Sequence, residues 1–204
     1  DLGPRTKLEA LFIQQLKSSD FNLTYSVAPD EELFSNERTL GETIARTTLS
    51  FVRSDTLSFE TGGEVAFNWL DSATNYSANG APVTLPAANV TVEERRGEVF
   101  GTATWKPRPT LTLEGGLRVE GSRISSEGDV MLEKSLVFAK PRLLVTWSPT
   151  PANQFRLRLE KEVGQLNFGD FVASSQINSG GSVSTGNPDL NPQQWIISEI
   201  AYER

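Results

Sequence analysis

Leu57-Ser58-Phe59-Glu60-Thr61-Gly62-Gly63-Glu64-Val65-Ala66-Phe67-Asn68-Trp69 alternates in character with a period of two. Leu57, Phe59, Thr61, Val65, Phe67 and Trp69 fall on one face, while Ser58, Glu60, Glu64 and Asn68 fall on the other. Successive side chains of a β-strand point to opposite faces, so the stretch reads as a half-apolar strand. A helix would scatter both sets around its circumference.

The same alternation recurs outward in both directions. Leu113, Leu117 and Val119 oppose Glu114, Arg118 and Glu120; Phe155, Leu157 and Leu159 oppose Arg156, Arg158 and Glu160. Leu143, Val145 and Trp147 oppose Arg142 and Thr146, with Leu144 out of pattern. Leu49 and Phe51, and Leu8, Ala10 and Phe12, are weaker instances. Turn-forming residues divide the chain into about nine strands, near 6–16, 21–28, 41–53, 56–70, 93–105, 110–123, 135–148, 153–166 and 194–204. The fold class expected is all-β: an antiparallel up-and-down meander forming part of a transmembrane β-barrel.

The connections sharpen that reading. Lys17-Ser18-Ser19-Asp20, Ser54-Asp55, Lys106-Pro107-Arg108-Pro109 and Pro149-Thr150-Pro151-Ala152 read as tight turns. Long polar links at roughly 29–40, 71–92, 124–134 and 167–193 alternate with them. In a meander, alternate connections share one end of the sheet. Short turns at one end and long loops at the other is the asymmetry of outer-membrane barrels. Leu57–Trp69 also exceeds the ~5–6 residues usual for soluble strands and meets the ~9–11 that cross a bilayer. Trp69 and Trp195 fall at the long-loop ends of their strands, and Trp105 and Trp147 at the tight-turn ends. Two at each rim fits aromatic girdles at the two interfaces.

Composition bounds the function. The chain of 204 residues carries a net charge of −7 and no dense basic run, which argues against a nucleic-acid partner. It has no Cys and no His, so disulfides, thiolate zinc sites and Cys or His nucleophile–base pairs are excluded. No apolar run reaches the ~18 residues of a membrane helix. Glu93-Glu94 point to opposite faces of a strand and cannot converge. Glu160 and Glu162 share a face but lack a recognisable acid–base pocket. Asp30-Glu31-Glu32 reads as a solvated acidic tip. No catalytic residue, metal ligand or cofactor is assigned, and the chain is read as a non-enzyme. Sequons at Asn22, Asn75 and Asn89 are chance occurrences in a chain rich in Asn, Ser and Thr.

From Phe138 to Arg204 the chain resembles the barrel of a TonB-dependent outer-membrane receptor. The resemblance is carried by Lys140-Pro141-Arg142-Leu143 leading to Trp147-Ser148-Pro149, then by Phe155-Arg156-Leu157-Arg158-Leu159-Glu160-Lys161. Gly164-Gln165-Leu166-Asn167-Phe168-Gly169-Asp170-Phe171 and Gly186-Asn187-Pro188-Asp189-Leu190-Asn191-Pro192 continue it. Thr39-Leu40-Gly41-Glu42-Thr43 and Arg95-Arg96-Gly97-Glu98 are similar in style. The resemblance implies a barrel of about 22 strands in the outer membrane of a Gram-negative bacterium. It also implies a plug domain, the energy-transducing protein TonB and a scarce nutrient ligand such as an iron chelate. No segment reads as a plug, so residues 1–204 are expected to be a partial barrel domain in contact with outer-membrane lipid. Gln165, Phe168, Asp170 and Asn187, on the last long loop, are the candidate ligand contacts. The competing reading is a soluble, exported β-sandwich binding module with long recognition loops; a smaller porin-like or assembly barrel is a third.

Overall fold

A computed structural model describes residues 3–129, 131–164, 174–176, 182–184 and 191–204. Among them there is no helix. The strands are β1 (Thr6–Val27), β2 (Asp30–Ser54), β3 (Leu57–Ala78), β4 (Ala81–Pro82), β5 (Asn89–Arg108), β6 (Leu111–Gly128), β7 (Leu132–Thr150), β8 (Asn153–Val163), β9 (Ser174–Gln176), β10 (Ser182–Ser184) and β11 (Gln194–Glu203). One antiparallel sheet of nine strands runs β1-β2-β3-β5-β6-β7-β8-β11, with the short β4 paired to β3; β9 and β10 pair only with each other. Every long strand lies beside its sequence neighbour, as an up-and-down meander requires.

Register assigns the faces. Phe51 pairs with Phe59, Leu57 with Trp105, Trp105 with Leu113, Leu113 with Val145 and Val145 with Leu157. All the apolar sets read from the sequence therefore meet on one side. That side is left open: Val65 and Val99 are 63% and 64% exposed. Among the described residues no second layer covers it, as a sandwich would require. From Phe59 to Trp69 the apolar band covers ~34 Å of strand, or ~26 Å along the normal at a tilt of ~40°, close to an outer-membrane hydrocarbon core.

Aromatic rings mark the tight-turn rim of this band. Phe51 stacks on Phe59 at 5.1 Å, Trp147 on Phe155 at 5.4 Å, and Phe155 lies 4.8 Å from Tyr202. Trp105 stands between the two groups on β5. At the other rim Trp69 lies across its partner Gly41, where a Cβ would overlap the indole. Trp195 departs from the expected girdle. It pairs with Glu162, so it faces the polar side, against Gly164.

The connections differ from expectation at one end. Lys17–Asp20 form no turn, because β1 pairs with β2 without interruption from Thr6↔Phe51 to Val27↔Asp30. The segments expected at 6–16 and 21–28 are one strand, and the expected loop 29–40 is mostly β2. A continuous ladder of backbone hydrogen bonds outweighs the local turn preference of Lys-Ser-Ser-Asp. Likewise β3, β5, β6 and β7 extend into the expected loops 71–92 and 124–134, so the links there are much shorter than expected. The tight turns at 55–56, 109–110 and 151–152 all lie at the opposite end. The asymmetry therefore survives in a weaker form, with two-residue turns at one end and connections of mixed length at the other.

Above the band the strand extensions build a small core on the polar face. Leu70, Val90, Val92 and Ile124 are buried there with Ala87, and Leu40, Leu132 and Leu136 pack against them. The 79–88 connection folds inward over this cluster. The Thr74 N–H donates to the Ala88 carbonyl at 2.8 Å, and the Val83 N–H donates to the Tyr76 carbonyl at 2.9 Å. Asn79 and Gly80, at φ +53° and +75°, make the tight turn that starts it.

Candidate functional site

On the polar face, register brings three glutamates side by side: Glu64 pairs with Glu98, and Glu98 pairs with Glu120. Like charges directly opposite repel. Cations directly opposite or diagonal to them offset the repulsion. Arg46 binds Glu64 through Nε at 2.7 Å and Nη2 at 2.6 Å, while Arg96 reaches the other Glu64 oxygen at 3.2 Å. Arg118 donates to Glu98 at 2.9 Å, and Lys140 bridges Glu98 and Glu120 at 2.6 and 2.8 Å. Arg142 stands 3.7 Å from Glu114 and 3.8 Å from Glu160. Arg158 donates to Glu160 at 2.6 Å and Glu162 at 3.3 Å and approaches Glu199 at 3.9 Å. Arg156 pairs with Glu203. The ladder thus crosses from β2 to β11. Arg96 and Glu98 are buried among the neighbouring side chains of the ladder.

The second feature is an open cleft of about 910 Å³ at the long-loop end. Phe34, Thr74, Tyr76, Leu85 and Pro86 are among its lining residues. One wall is fixed by the buried Asn36 amide, which donates to Ser72 Oγ at 3.0 Å and Thr74 Oγ1 at 2.7 Å. Asn79 ties the cleft to the β1–β2 tip: its Oδ1 accepts from the Glu31 N–H at 2.8 Å, and its amide donates to Asp30 at 3.3 Å. Tyr76 is held above its ordinary pKa of 10.0, first by burial and then by the charge and hydrogen bond of Glu32.

Gln165, Phe168, Asp170 and Asn187, the candidate ligand contacts, lie outside the described residues. The carboxylate pairs have structural partners. Glu160 and Glu162 converge on Arg158, whereas Glu93 and Glu94 diverge to Arg95 at 3.5 Å and Asn68 at 3.0 Å. Among the described residues no cluster of His, Cys, Asp or Glu is arranged to hold a metal ion. Sequence reading did not single out Arg46, Arg96, Glu98 or Lys140 as ladder members. Their face was legible from parity, but their partners depend on register.

A single-layer meander with a bilayer-height apolar face, an aromatic rim and a charge-paired opposite face is the wall of a transmembrane β-barrel. The family model described as TonB dependent receptor-like, beta-barrel matches residues 6–194, and the chain belongs to that family. Its members are non-enzymatic outer-membrane transporters of Gram-negative bacteria, and this chain is a segment of such a barrel. Among solved structures it resembles the receptor for ferric preacinetobactin, BauA, from Acinetobacter baumannii (TM-score 0.63, 9% identity, 99% of this chain and 33% of that one). It also resembles the ferric citrate transporter FecA in its unliganded form (TM-score 0.59, 13% identity, 81% of this chain and 26% of that one). At these identities the likeness concerns the fold. The chain spans about a quarter to a third of the length of these receptors. No curated protein matches the sequence significantly.

Proposed function

We propose that this chain is part of the wall of a receptor that takes up a scarce nutrient, such as an iron chelate, by energy-dependent transport. The observation that carries the proposal is the polar face. Its ion-paired ladder gives the sheet a hydrated, charge-balanced inner surface, suited to a wide barrel enclosing a folded plug domain rather than a side-chain-filled core. The solved structures it resembles, a ferric citrate transporter and a ferric preacinetobactin receptor, support an iron chelate as the ligand class. In this reading residues 1–204 are one part of the barrel domain, and the plug and TonB act on the whole receptor. The cleft beside Tyr76 and the loop bearing Gln165, Phe168, Asp170 and Asn187 face the external medium and contact the ligand.

The test is uptake by cells with and without the gene. Iron-starved cells receive radiolabelled iron as ferric citrate or a ferric catecholate, with labelled cyanocobalamin as the contrasting cargo. Loss of accumulation of one iron chelate, abolished equally by an uncoupler of the inner membrane, is the expected result. Unchanged uptake of both chelates with loss of cyanocobalamin would replace the ligand class. Unchanged accumulation of all three would refute an uptake role for these nutrients.

A further inference from the structure

The apolar face is not uniform. Near the tight-turn end a groove of about 520 Å³ opens between the stacked Phe51 and Phe59 on one side and Leu117 on the other. That volume lies within the ~300–1,000 Å³ of small-molecule sites. Its floor includes Thr61, Gly101 and Gly115. Neither glycine is required by its surroundings. A Cβ at Gly115 would meet nothing within 4 Å, and one at Gly101 would meet only the Glu60 carbonyl at 3.9 Å. Glycine inside a strand weakens it and often marks a site of close approach by another molecule.

A basic row lies beside the groove. Arg53 follows Phe51 by two residues, and Arg108, five residues after the groove-lining Ala103 and beyond an irregularity after Trp105, pairs with Leu111 on the face of Leu113, whereas Lys106, next to Trp105, belongs to the opposite face. Arg5, Arg53, Lys106 and Arg108 are all exposed. Among the described residues none of the four is in an ion pair, and Asp55 is the one carboxylate on the intervening turns. This contrasts with the polar face, where the arginines are matched to glutamates.

We infer that this groove and its basic row form a site for one anionic glycerophospholipid of the periplasmic leaflet. An acyl chain lies over Gly101 and Gly115, and the phosphate sits between Arg53 and Arg108. The spacing of two to five residues covers ~7–17 Å of strand, suited to the distance between an upper acyl chain and its phosphate. Short turns of outer-membrane barrels face the periplasm, which puts the basic row at the headgroups of that leaflet. The inference is independent of which nutrient is carried.

The experiment is native mass spectrometry of the whole receptor released from non-ionic detergent with equimolar palmitoyl-oleoyl phosphatidylglycerol and phosphatidylcholine. These lipids share acyl chains and differ in headgroup charge. Phosphatidylglycerol adducts are expected to exceed phosphatidylcholine adducts at least tenfold. The combined R53Q and R108Q variant should bring the ratio below two, and G101L with G115L should lower phosphatidylglycerol retention at least fivefold with all charges present. The single variants R53Q and R108Q, each expected to reduce the ratio, serve if the double variant does not fold. Equal retention of the two lipids by the unaltered receptor, or a preference that survives charge removal, would overturn the site. Retention unaffected by filling the groove, yet competed away by inorganic phosphate, would overturn the lipid assignment and leave an anion site.

Discussion

Lys140→Met removes the one cation, among the described residues, that touches both Glu98 and Glu120. Lys140 Nζ stands 2.6 Å from one and 2.8 Å from the other, and the three side chains are 16%, 6% and 16% exposed respectively. After the substitution Glu98 retains Arg118 at 2.9 Å, whereas Glu120 loses the ammonium that offsets its cross-strand neighbour Glu98. Breaking a buried pair by removing one partner costs ~3–5 kcal/mol. Retention of Arg118 and entry of water from the barrel interior reduce this, so the expected loss is ~2–4 kcal/mol. The control is Glu120→Gln in the same background. It removes the repulsion and the uncompensated charge together, so the double variant should be more stable than the sum of the singles implies by ~1–2 kcal/mol. The assay is equilibrium unfolding of the receptor in lipid vesicles by guanidinium, followed by tryptophan fluorescence. A Lys140→Met variant within ~0.5 kcal/mol of the parent, or strictly additive single effects, would refute a stabilising ladder.

Three further outcomes are open to the same methods. Val99→Arg places a charge on the open apolar face and should cost ~2–4 kcal/mol in vesicles, while Thr104→Arg on the polar face should cost ~0–1 kcal/mol; equal costs would reverse the assignment of faces. Asn36→Leu removes the donors that Ser72 and Thr74 share, and should cost ~1–3 kcal/mol and speed amide exchange at Thr74; unchanged exchange would uncouple Asn36 from the cleft wall. Because Tyr76 is held above 10.0, its protonated form is favoured by the fold, so its contribution is complete below pH 10 and falls as pH rises through the raised value. The phenolate absorbance lost in Tyr76→Phe should therefore appear only above pH 10, and a difference already developed below that pH would contradict the Glu32 contact.

The apolar face was legible because it needs only parity: Leu57, Phe59, Leu113, Val145 and Leu157 declare it one residue at a time. Lys17-Ser18-Ser19-Asp20 misled because turn preference is local, whereas the pairing of Ser18 with Thr39 and Asp20 with Glu37 is supplied by a strand some twenty residues away. Leu70, Val92 and Ile124 lie on the otherwise polar face, and their burial depends on the 79–88 connection folding back, which no periodicity encodes. Trp195 lies at the expected end but on the other face. Position along the strand was readable for it, while its environment followed from pairing with Glu162.

The two faces and the two edges together explain why the sheet functions only within a larger wall. Among the described residues β1 pairs only with β2 and β11 only with β8, so each presents one row of backbone groups at bilayer height without a partner strand. An unsatisfied amide or carbonyl in hydrocarbon costs several kcal/mol, and β11 alone exposes on the order of ten such groups along its free edge. The polar ladder cannot offset this, because its pairs replace hydration rather than add large net stability. Further strands on both sides, closing the ring, remove the penalty and also carry the ladder onward from Glu199. The ion pairs then set side-chain order on the inner surface, the aromatic rim sets depth, and barrel closure supplies the stability that neither provides alone.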